Sequence, residues 1–228
     1  MKLSVVMPAY NEDRTIEEIV RKVLAVEMEK ELIIVDDGSR DRTREILREK
    51  FMDLDEINVI FHEKNSGKGA AVKTGIAAAT GDMVIIQDAD LEYDPNDFHK
   101  LVQPIIDGKA QVVYGSRVKG RDFKHRYTLN LFAARLLSFM SNVLYGFNIT
   151  DEPTCYKLFR ADIIKSIEIK GNGFEWEPEV TAKLGKRGIA IHEVPINYYS
   201  RTIKEGKKIK WIDGVKAIWA LIKYRFVD

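Results

Sequence analysis

Short apolar runs alternate with amphipathic stretches along the first half of this 228-residue chain, and that alternation constrains its fold most. After the first run, apolar residues recur at the three- and four-residue spacing of a helix with one buried face. Strands that alternate with helices form a parallel sheet covered by helices on both faces. The predicted fold class is therefore α/β, with a mostly parallel sheet flanked by helices. The runs interpreted as strands are residues 2–7, 32–35, 59–61, 83–86 and 112–114.

The pattern changes in the second half of the chain. A polar, basic segment at residues 120–127 is typical of a loop, and an amphipathic helix follows it. Because no repeat or low-complexity segment appears, we expect one domain over residues 1–228. The elements predicted in this half are helices at residues 129–147, 178–186 and 211–226 and strands at residues 154–159 and 189–198.

Composition argues against several classes of protein. Lys and Arg number 36 against 35 Asp and Glu, so net charge gives no support for nucleic-acid binding. The single cysteine, Cys155, cannot form an internal disulfide, and we expect a small buried residue in a cytoplasmic protein. The longest apolar stretch is interrupted by polar residues, and the first residues form a strand pattern. We therefore expect neither a membrane span nor a signal peptide.

Acidic residues follow the fourth predicted strand. Asp88 and Asp90 are separated by one residue, and Glu92 comes two positions later. Several carboxylate oxygens in a small volume suit Mg²⁺ or Mn²⁺, which complete their shells with water and phosphate oxygens. Asp is also common where a strand turns, so the pair alone does not establish a metal site. Ligands of open α/β sheets bind at the carboxyl ends of the strands, where these residues are predicted to lie.

Further polar motifs follow the other predicted strands. They are Pro8-Ala9-Tyr10-Asn11-Glu12, Asp36-Asp37-Gly38-Ser39, Gly67-Lys68-Gly69 and Gly115-Ser116-Arg117. With the acidic pair, they resemble the family-2 glycosyltransferases of the GT-A fold, and most of all the polyprenyl-phosphate hexose synthases of the dolichol-phosphate mannose synthase type. The resemblance extends over residues 2–226. It implies a nucleotide-sugar half at residues 1–117 and an acceptor half at residues 118–228.

For the donor, the resemblance implies a nucleotide sugar held by its base, ribose and diphosphate. Asp37, with Asp36 beside it, meets the base edge, where a carboxylate can accept from a uracil or guanine N–H. A tight turn with a helix cap is the alternative role for this segment. Lys68 opens a helix, so a cation and free backbone N–H groups are expected to face the nucleotide. The residues expected to line the base and ribose slot are Pro8, Ala9, Tyr10 and Glu12.

The resemblance also implies which residues bind the metal, and it places Asp88 and Asp90 among the catalytic residues. Asp88, Asp90 and Glu92 are the expected ligands of Mg²⁺ or Mn²⁺, and Asp88 is also expected to contact the donor. Glu92 departs from the subfamily, which often has glutamine there, but glutamate still offers oxygen. The ion would stabilise the leaving nucleoside diphosphate as a Lewis acid.

For the acceptor, the resemblance implies a lipid phosphate held by basic side chains, since guanidinium groups match phosphate oxygens. The expected residues are Arg117, which also counts among the catalytic residues, Arg135, Arg201 and Lys207. The loop before Arg135 differs in length from the family pattern, so Arg126 is an alternative to it. Each arginine has the alternative role of a surface ion-pair partner.

A phosphate acceptor is already anionic at neutral pH, so no general base is needed, and the family reaction inverts the anomeric carbon. If the acceptor is a hydroxyl instead, Glu175 and Glu177 are the candidate bases, although acids are also common where a helix begins. The Gln-x-x-Arg-Trp motif of processive polysaccharide synthases is missing, which favours a single transfer.

The two long amphipathic helices predicted at residues 129–147 and 211–226 offer apolar faces to a partner. They could rest on the cytoplasmic face of a membrane, or pack on the protein's own core, on a second copy or on a membrane-embedded partner. Two other functions remain as alternatives, a nucleotidyltransferase and a non-catalytic nucleotide-sugar binding module. The first normally has a glycine- and arginine-rich loop after its first strand, and the second would not need an intact acidic pair.

Overall fold

Seven strands form one sheet in the computed structural model, which describes residues 1–120, 128–200 and 211–227, apart from the side chains of residues 128–130. The strands are β1 (Leu3–Ala9), β2 (Lys30–Asp36), β3 (Ile57–Phe61), β4 (Met83–Ile86), β5 (Val112–Ser116), β6 (Lys157–Arg160) and β7 (Ile191–Pro195). Their order across the sheet is β3-β2-β1-β4-β6-β5-β7. All neighbouring pairs are parallel except those that β6 makes with β4 and β5. The predicted α/β fold with a mostly parallel sheet is confirmed.

Helices flank this sheet. They are α1 (Ile16–Ala25), α2 (Thr43–Lys50), α3 (Lys68–Ala78), α4 (Phe98–Ile106), α5 (Thr128–Tyr145), α6 (Ala161–Lys165), α7 (Trp176–Lys186) and α8 (Trp211–Phe226), with a 3₁₀ turn at Pro95–Asp97 before α4. Most predicted elements lie within one to three residues of these bounds. The largest differences are at β6, since residues 154–156 lie before the strand although they are buried like strand residues, and at β7, which ends at Pro195 instead of residue 198.

The main core lies between the sheet and the helices that follow its strands. The side chains of β4 are fully buried, and α1 buries the apolar stripe that the sequence predicted, including Ile16 and Val20. Gly75 lets α3 approach β1 closely, because a Cβ there would lie 2.3 Å from Cγ1 of Val6. Cys155 is a buried free cysteine, as expected.

A second, smaller core joins α5, α7 and α8. Its centre includes Leu137, Ala182 and Leu221, and Tyr145 donates its hydroxyl to the Leu221 carbonyl at 2.5 Å. Gly185 is needed where α7 crosses α5, because a Cβ would lie 2.5 Å from Cβ of Tyr145. Among the helices of the described residues, none is both long and apolar enough to cross a membrane.

Candidate active site

The carboxyl ends of β1, β2, β4 and β5 lie at one edge of the sheet, and hydrogen bonds join the loops that follow β1, β2 and β4. The Asn11 amide donates to Ser39 Oγ at 2.9 Å, and the Asn11 side chain accepts from the Arg40 amide at 2.8 Å. Thr15 Oγ1 lies 3.0 Å from a carboxylate oxygen of Glu12 and 2.9 Å from the carbonyl oxygen of Ala89. The loop after β1 is therefore hydrogen-bonded both to the loop after β2 and to residues 88–92 after β4, which we call the acidic turn.

The predicted base and ribose residues lie along this edge. Pro8 and Ala9 end β1, where Pro8 is half-buried and Ala9 is buried, and Tyr10 and Glu12 are half-buried in the loop beyond. Asn11 has a φ of 50°, a left-handed conformation that asparagine tolerates better than most residues. This conformation turns the chain sharply after β1 and keeps the loop beside the strand ends.

Asp37 is buried at the end of β2 and joins three groups of the segment before α3. Its carboxylate accepts from the amides of Ser66 at 2.9 Å and Gly67 at 2.7 Å, and it lies 2.8 Å from Nδ1 of His62. Sequence reasoning missed His62, because nothing in its surroundings in the chain indicates a partner 25 residues away. Asp37 therefore holds the loop that leads into α3, whether or not it also contacts a nucleotide base.

Asp36 points to the other side of the loop. It is fully buried, and its Oδ2 accepts from Arg44 Nε of α2 at 2.6 Å and from the Ser39 amide at 3.2 Å. The same guanidinium donates to the carbonyl of His62. These contacts indicate a structural role for Asp36, which was predicted to contact the nucleotide.

The N-terminus of α3 fits against a glycine-rich loop of the second half of the chain. Gly67 has a φ of 101°, and a Cβ there would lie 2.3 Å from the carbonyl oxygen of Asn172. That carbonyl accepts from the Ala70 amide at 3.1 Å, and the Asn172 side chain accepts from Lys73 at 2.6 Å. We expected free amides of Gly67-Lys68-Gly69 to face the nucleotide here; of these, the Gly67 amide donates to Asp37, and the neighbouring Ser66 and Ala70 amides donate to Asp37 and Asn172.

Lys68, the first residue of α3, joins the two halves of the chain. Its ammonium lies 2.8 Å and 3.1 Å from the two carboxylate oxygens of Asp88, and 3.1 Å from Oε1 of Glu177. Burial favours the neutral amine, yet Asp88 and Glu177 hold the pKa of Lys68 well above its ordinary value. The sequence identified all three residues but could not pair Lys68 with Glu177, which lies 109 positions away.

Asp90 and Glu92 complete the acidic turn. Asp90 is buried, and one of its oxygens accepts from the Glu92 amide at 3.0 Å. The Tyr198 hydroxyl lies near the Glu92 carboxylate, and burial together with this carboxylate raises the pKa of Tyr198. Among the described residues, no three His, Cys, Asp or Glu side chains form a ready-made metal site. The expected trio of ligands is therefore not assembled, because Asp88 faces Lys68 and Glu92 faces Tyr198.

Arg117 follows β5, and its side chain is buried against Asp151. Nε and Nη2 donate to the two oxygens of Asp151 at 2.8 Å and 2.7 Å, and Nη2 also donates to the Pro153 carbonyl at 3.0 Å. Burial opposes both charges, but Asp151 holds the pKa of Arg117 well above its ordinary value, and Arg117 lowers that of Asp151. The guanidinium carbon lies 5.1 Å from the Tyr198 ring centre. Sequence reasoning missed Asp151, so the fixed orientation of Arg117 was not foreseen.

The remaining predicted residues are one on α5, one at the start of α7 and three outside the described residues. Arg135 is exposed on α5. Arg201, Lys207 and the alternative Arg126 lie outside the described residues. Glu175 accepts from the nearby Gly173 amide at 3.0 Å, which is a local contact at the start of α7. Of the two candidate bases, Glu177 is thus the one joined to the acidic turn.

Comparisons with known proteins agree on one family. The model described as Glycosyl transferase family 2 matches residues 4–168. A UDP-N-acetylglucosamine–dolichyl-phosphate N-acetylglucosaminyltransferase of Methanococcus voltae is 31% identical over 237 residues, which cover 95% of this chain and 93% of that protein. The low-salt glycan biosynthesis hexosyltransferase Agl6 of Haloferax volcanii is 28% identical over 235 residues, which cover 99% of this chain and 53% of that protein.

Solved structures show the same fold. A glucosyl-3-phosphoglycerate synthase from Mycobacterium tuberculosis, in complex with Mn²⁺, uridine diphosphate and phosphoglyceric acid, matches with a TM-score of 0.74 at 22% sequence identity. The match covers 100% of this chain and 79% of that chain. The family match, the relatives and the sheet with its polar strand ends lead to one conclusion. This chain is a glycosyltransferase of the GT-A fold and belongs to glycosyl transferase family 2.

Proposed function

We propose that this enzyme transfers one sugar from a nucleotide sugar to the phosphate of a polyprenyl phosphate, such as dolichyl or undecaprenyl phosphate, with inversion at the anomeric carbon. In this proposal the donor is GDP-mannose or UDP-glucose. The relative that is named for UDP-N-acetylglucosamine and dolichyl phosphate supports the lipid acceptor and adds a third donor to test. A lipid acceptor places the reaction at a membrane, on its cytoplasmic face in this proposal.

The observation that carries the proposal is the placement of opposite charges at one edge of the sheet. Carboxylates follow β4, and the buried guanidinium of Arg117 follows β5, with only β6 between these strands. A donor diphosphate needs a cation beside it, and an acceptor phosphate needs basic donors. The two sites would then be neighbours, as a direct attack of one phosphate on a sugar held by another requires.

A divalent cation fits the acidic turn by the chemistry of its donors. Mg²⁺ is usually held by one or two carboxylates together with substrate phosphates and water, so a preassembled trio is not required. Asp88, Asp90 and Glu92 bring three carboxylates to this turn, and Asp90 is buried there. In this proposal Asp90 holds Mg²⁺ or Mn²⁺ with help from Asp88 or Glu92, and the bound ion supplies charge neutralisation for the leaving nucleoside diphosphate.

On the acceptor side, the protein orients a nucleophile that needs no deprotonation. A phosphate monoester carries negative charge at neutral pH, so binding and alignment by Arg117 would suffice. Asp151 fixes the direction of the guanidinium and so acts as a positioning residue. Arg201 and Lys207 stay in the proposal as further phosphate ligands on the strength of the sequence.

The runner-up is transfer to a hydroxyl of a saccharide or another soluble acceptor. One contact favours it: Glu177 reaches the acidic turn through Lys68 and is where a general base would be needed. Under the leading proposal, Glu177 serves only as a partner of Lys68.

The test is a transfer assay with each of the three donors, polyprenyl phosphate and Mn²⁺ or Mg²⁺, read by mass spectrometry of the extracted lipid. We expect a lipid phosphate that carries one sugar. If no donor glycosylates polyprenyl phosphate while a hydroxyl acceptor is glycosylated, and Glu177→Gln stops that reaction, the runner-up is correct.

A further inference from the structure

An exposed apolar surface runs along the neighbouring helices α5 and α8. The exposed residues recur every three, four or seven positions, so they form a stripe on each helix. The opposite sides of these helices are buried in the second core. We name the exposed set the α5–α8 face; its residues are Phe132, Phe139 and Val143 on α5 and Trp211, Val215, Trp219, Ile222 and Phe226 on α8.

The size and composition of this face call for a partner. Single exposed apolar residues are ordinary on a protein surface, but a contiguous apolar patch marks a site of interaction. Trp211 is 80% exposed and Trp219 is 63% exposed, and tryptophan is enriched where a membrane meets water. Both helices therefore have the amphipathic character of segments that lie in the plane of a bilayer surface.

Positive charge borders the face. Lys216 and Lys223 are exposed and directly follow two residues of the α8 stripe, and Arg135 is the only charged residue of α5. In the sequence, residues 118–145 and 201–226 contain 13 of the 36 Lys and Arg but 3 of the 35 Asp and Glu. Basic residues beside an apolar stripe match the anionic headgroups of a bilayer. A second copy fits less well, because a two-fold contact would bring the two basic borders together.

The face is also close to the candidate acceptor site. On the inner side of α5, Ser138 accepts from the Glu152 amide at 2.9 Å, and Glu152 follows Asp151, the partner of Arg117. The outer side of the same helix carries Phe139. A bilayer against the face would therefore lie next to the loop that orients Arg117.

We propose that the α5–α8 face docks on the surface of an anionic lipid bilayer, with its aromatic side chains in the headgroup region. The proposal rests on the proposed function only in that the bilayer would carry the acceptor. Docking itself needs neither donor nor acceptor, so vesicles without polyprenyl phosphate test it separately.

The first experiment is flotation of the full chain with vesicles of phosphatidylcholine and phosphatidylglycerol. Val215→Glu should lower the bound fraction about tenfold, since it puts a charge into the apolar layer, and Phe139→Glu should do the same from α5. Ile106→Glu is the matched control, because Ile106 is a similar apolar residue that is 51% exposed, as Val215 is, but it lies on α4. The Ile106→Glu variant should bind the vesicles as the unchanged protein does.

A second measurement needs no substitution. The chain has three tryptophans, of which Trp176 is fully buried and Trp211 and Trp219 lie in the face. Vesicles should shift the emission to shorter wavelength and protect it from iodide quenching. Absence of vesicle binding, or binding that the face variants leave unchanged, would overturn the proposal. So would a dimer in solution that Val215→Glu dissociates without any vesicle binding, since the face would then join two copies. A protein that docks but does not glycosylate polyprenyl phosphate would instead refute the proposed function.

Discussion

Lys68 lies against both oxygens of Asp88, so this carboxylate already has a cation beside it. A divalent ion bound to Asp88 would lie close to the ammonium and be repelled by it. Asp90 lies outside that pair and is buried at the turn. At the scale of residues, the metal should therefore depend on Asp90 more than on Asp88.

We predict that Asp90→Asn weakens Mn²⁺ binding in the presence of uridine diphosphate at least about tenfold, or about 1.4 kcal/mol, because a charged ligand is lost. Titration calorimetry or the Mn²⁺ electron paramagnetic resonance signal measures this. Asp82→Asn is the control, since Asp82 directly precedes Met83, where β4 begins, and so lies at the end of the strand away from Asp90. Equal Mn²⁺ affinity in the Asp90→Asn variant and the unchanged protein would refute the assignment.

Asp37 leads to a second prediction at this scale. Asp37→Ala should weaken nucleoside diphosphate binding by about 1–3 kcal/mol, the range for losing a hydrogen bond to a charged group. The carboxylate also holds His62, so His62→Ala is the companion variant. If Asp37 reads the base, calorimetry should show a much smaller loss for His62→Ala. Similar losses in both variants would mean that Asp37 acts only by holding the loop.

At the scale of elements, Glu31 of β2 joins three adjacent strands. Its carboxylate accepts from Ser4 of β1 at 2.5 Å and from the Thr80 amide before β4 at 2.6 Å, and it pairs with Lys2 at 3.0 Å. Burial opposes its charge, but these hydrogen bonds prevail and lower the pKa of Glu31 from 4.5 to about 2. The contacts stabilise the junction of β1, β2 and β4.

Glu31→Gln should lower the free energy of unfolding by about 1–2 kcal/mol at neutral pH, since water screens part of the interaction. The folded state has the lower pKa, so this stabilisation is complete above pH 4.5 and is lost as the pH falls towards about 2. Urea unfolding at a series of pH values measures it. Glu29→Gln, at an exposed residue, is the control and should change little. A deficit that persists undiminished at the lowest pH would contradict this origin.

At the scale of the whole molecule, the candidate acceptor site includes both halves of the chain, since Asp151 orients Arg117. Arg117→Lys keeps the charge but loses the paired N–H donors of the guanidinium. We predict that it raises the KM for polyprenyl phosphate or lowers kcat at least about tenfold. Arg201→Ala should act likewise. Donor affinity should barely change, and Glu175→Gln should keep most activity because an ionised phosphate needs no base.

Steady-state kinetics with both substrates varied separates these effects. Arg160→Ala is the control, because Arg160 is an exposed arginine paired with Asp162. A loss of donor affinity in the Arg117→Lys variant, with the KM for the lipid unchanged, would mean that Arg117 binds the donor and not the acceptor.

The elements and the candidate residues differ in how far the sequence predicts them. The strand at Met83–Ile86 was predicted to the residue, because a buried parallel strand is a continuous apolar run bounded by polar residues. The partners of the charged residues could not be predicted. Asp37 meets His62, Lys68 meets Glu177 and Arg117 meets Asp151 only after folding has brought distant segments together. The sequence thus predicted that the candidate residues share one edge of the sheet, but not which of their charges are paired there.

The position of β6 limits the order in which the strands can pair while the chain is being synthesised. A ribosome that has released the first 117 residues has supplied β1 to β5, yet β5 has no neighbour to join, because β6 separates it from β4. Only when residues 157–160 emerge can β5 pair, and β7 follows on its outer side. If the first four strands pair as they emerge, the nascent chain holds a four-stranded sheet and an unpaired fifth strand for about 40 residues of elongation, which takes several seconds at ordinary rates. During that interval β5, the strand that Arg117 follows, is accessible to chaperones and to aggregation.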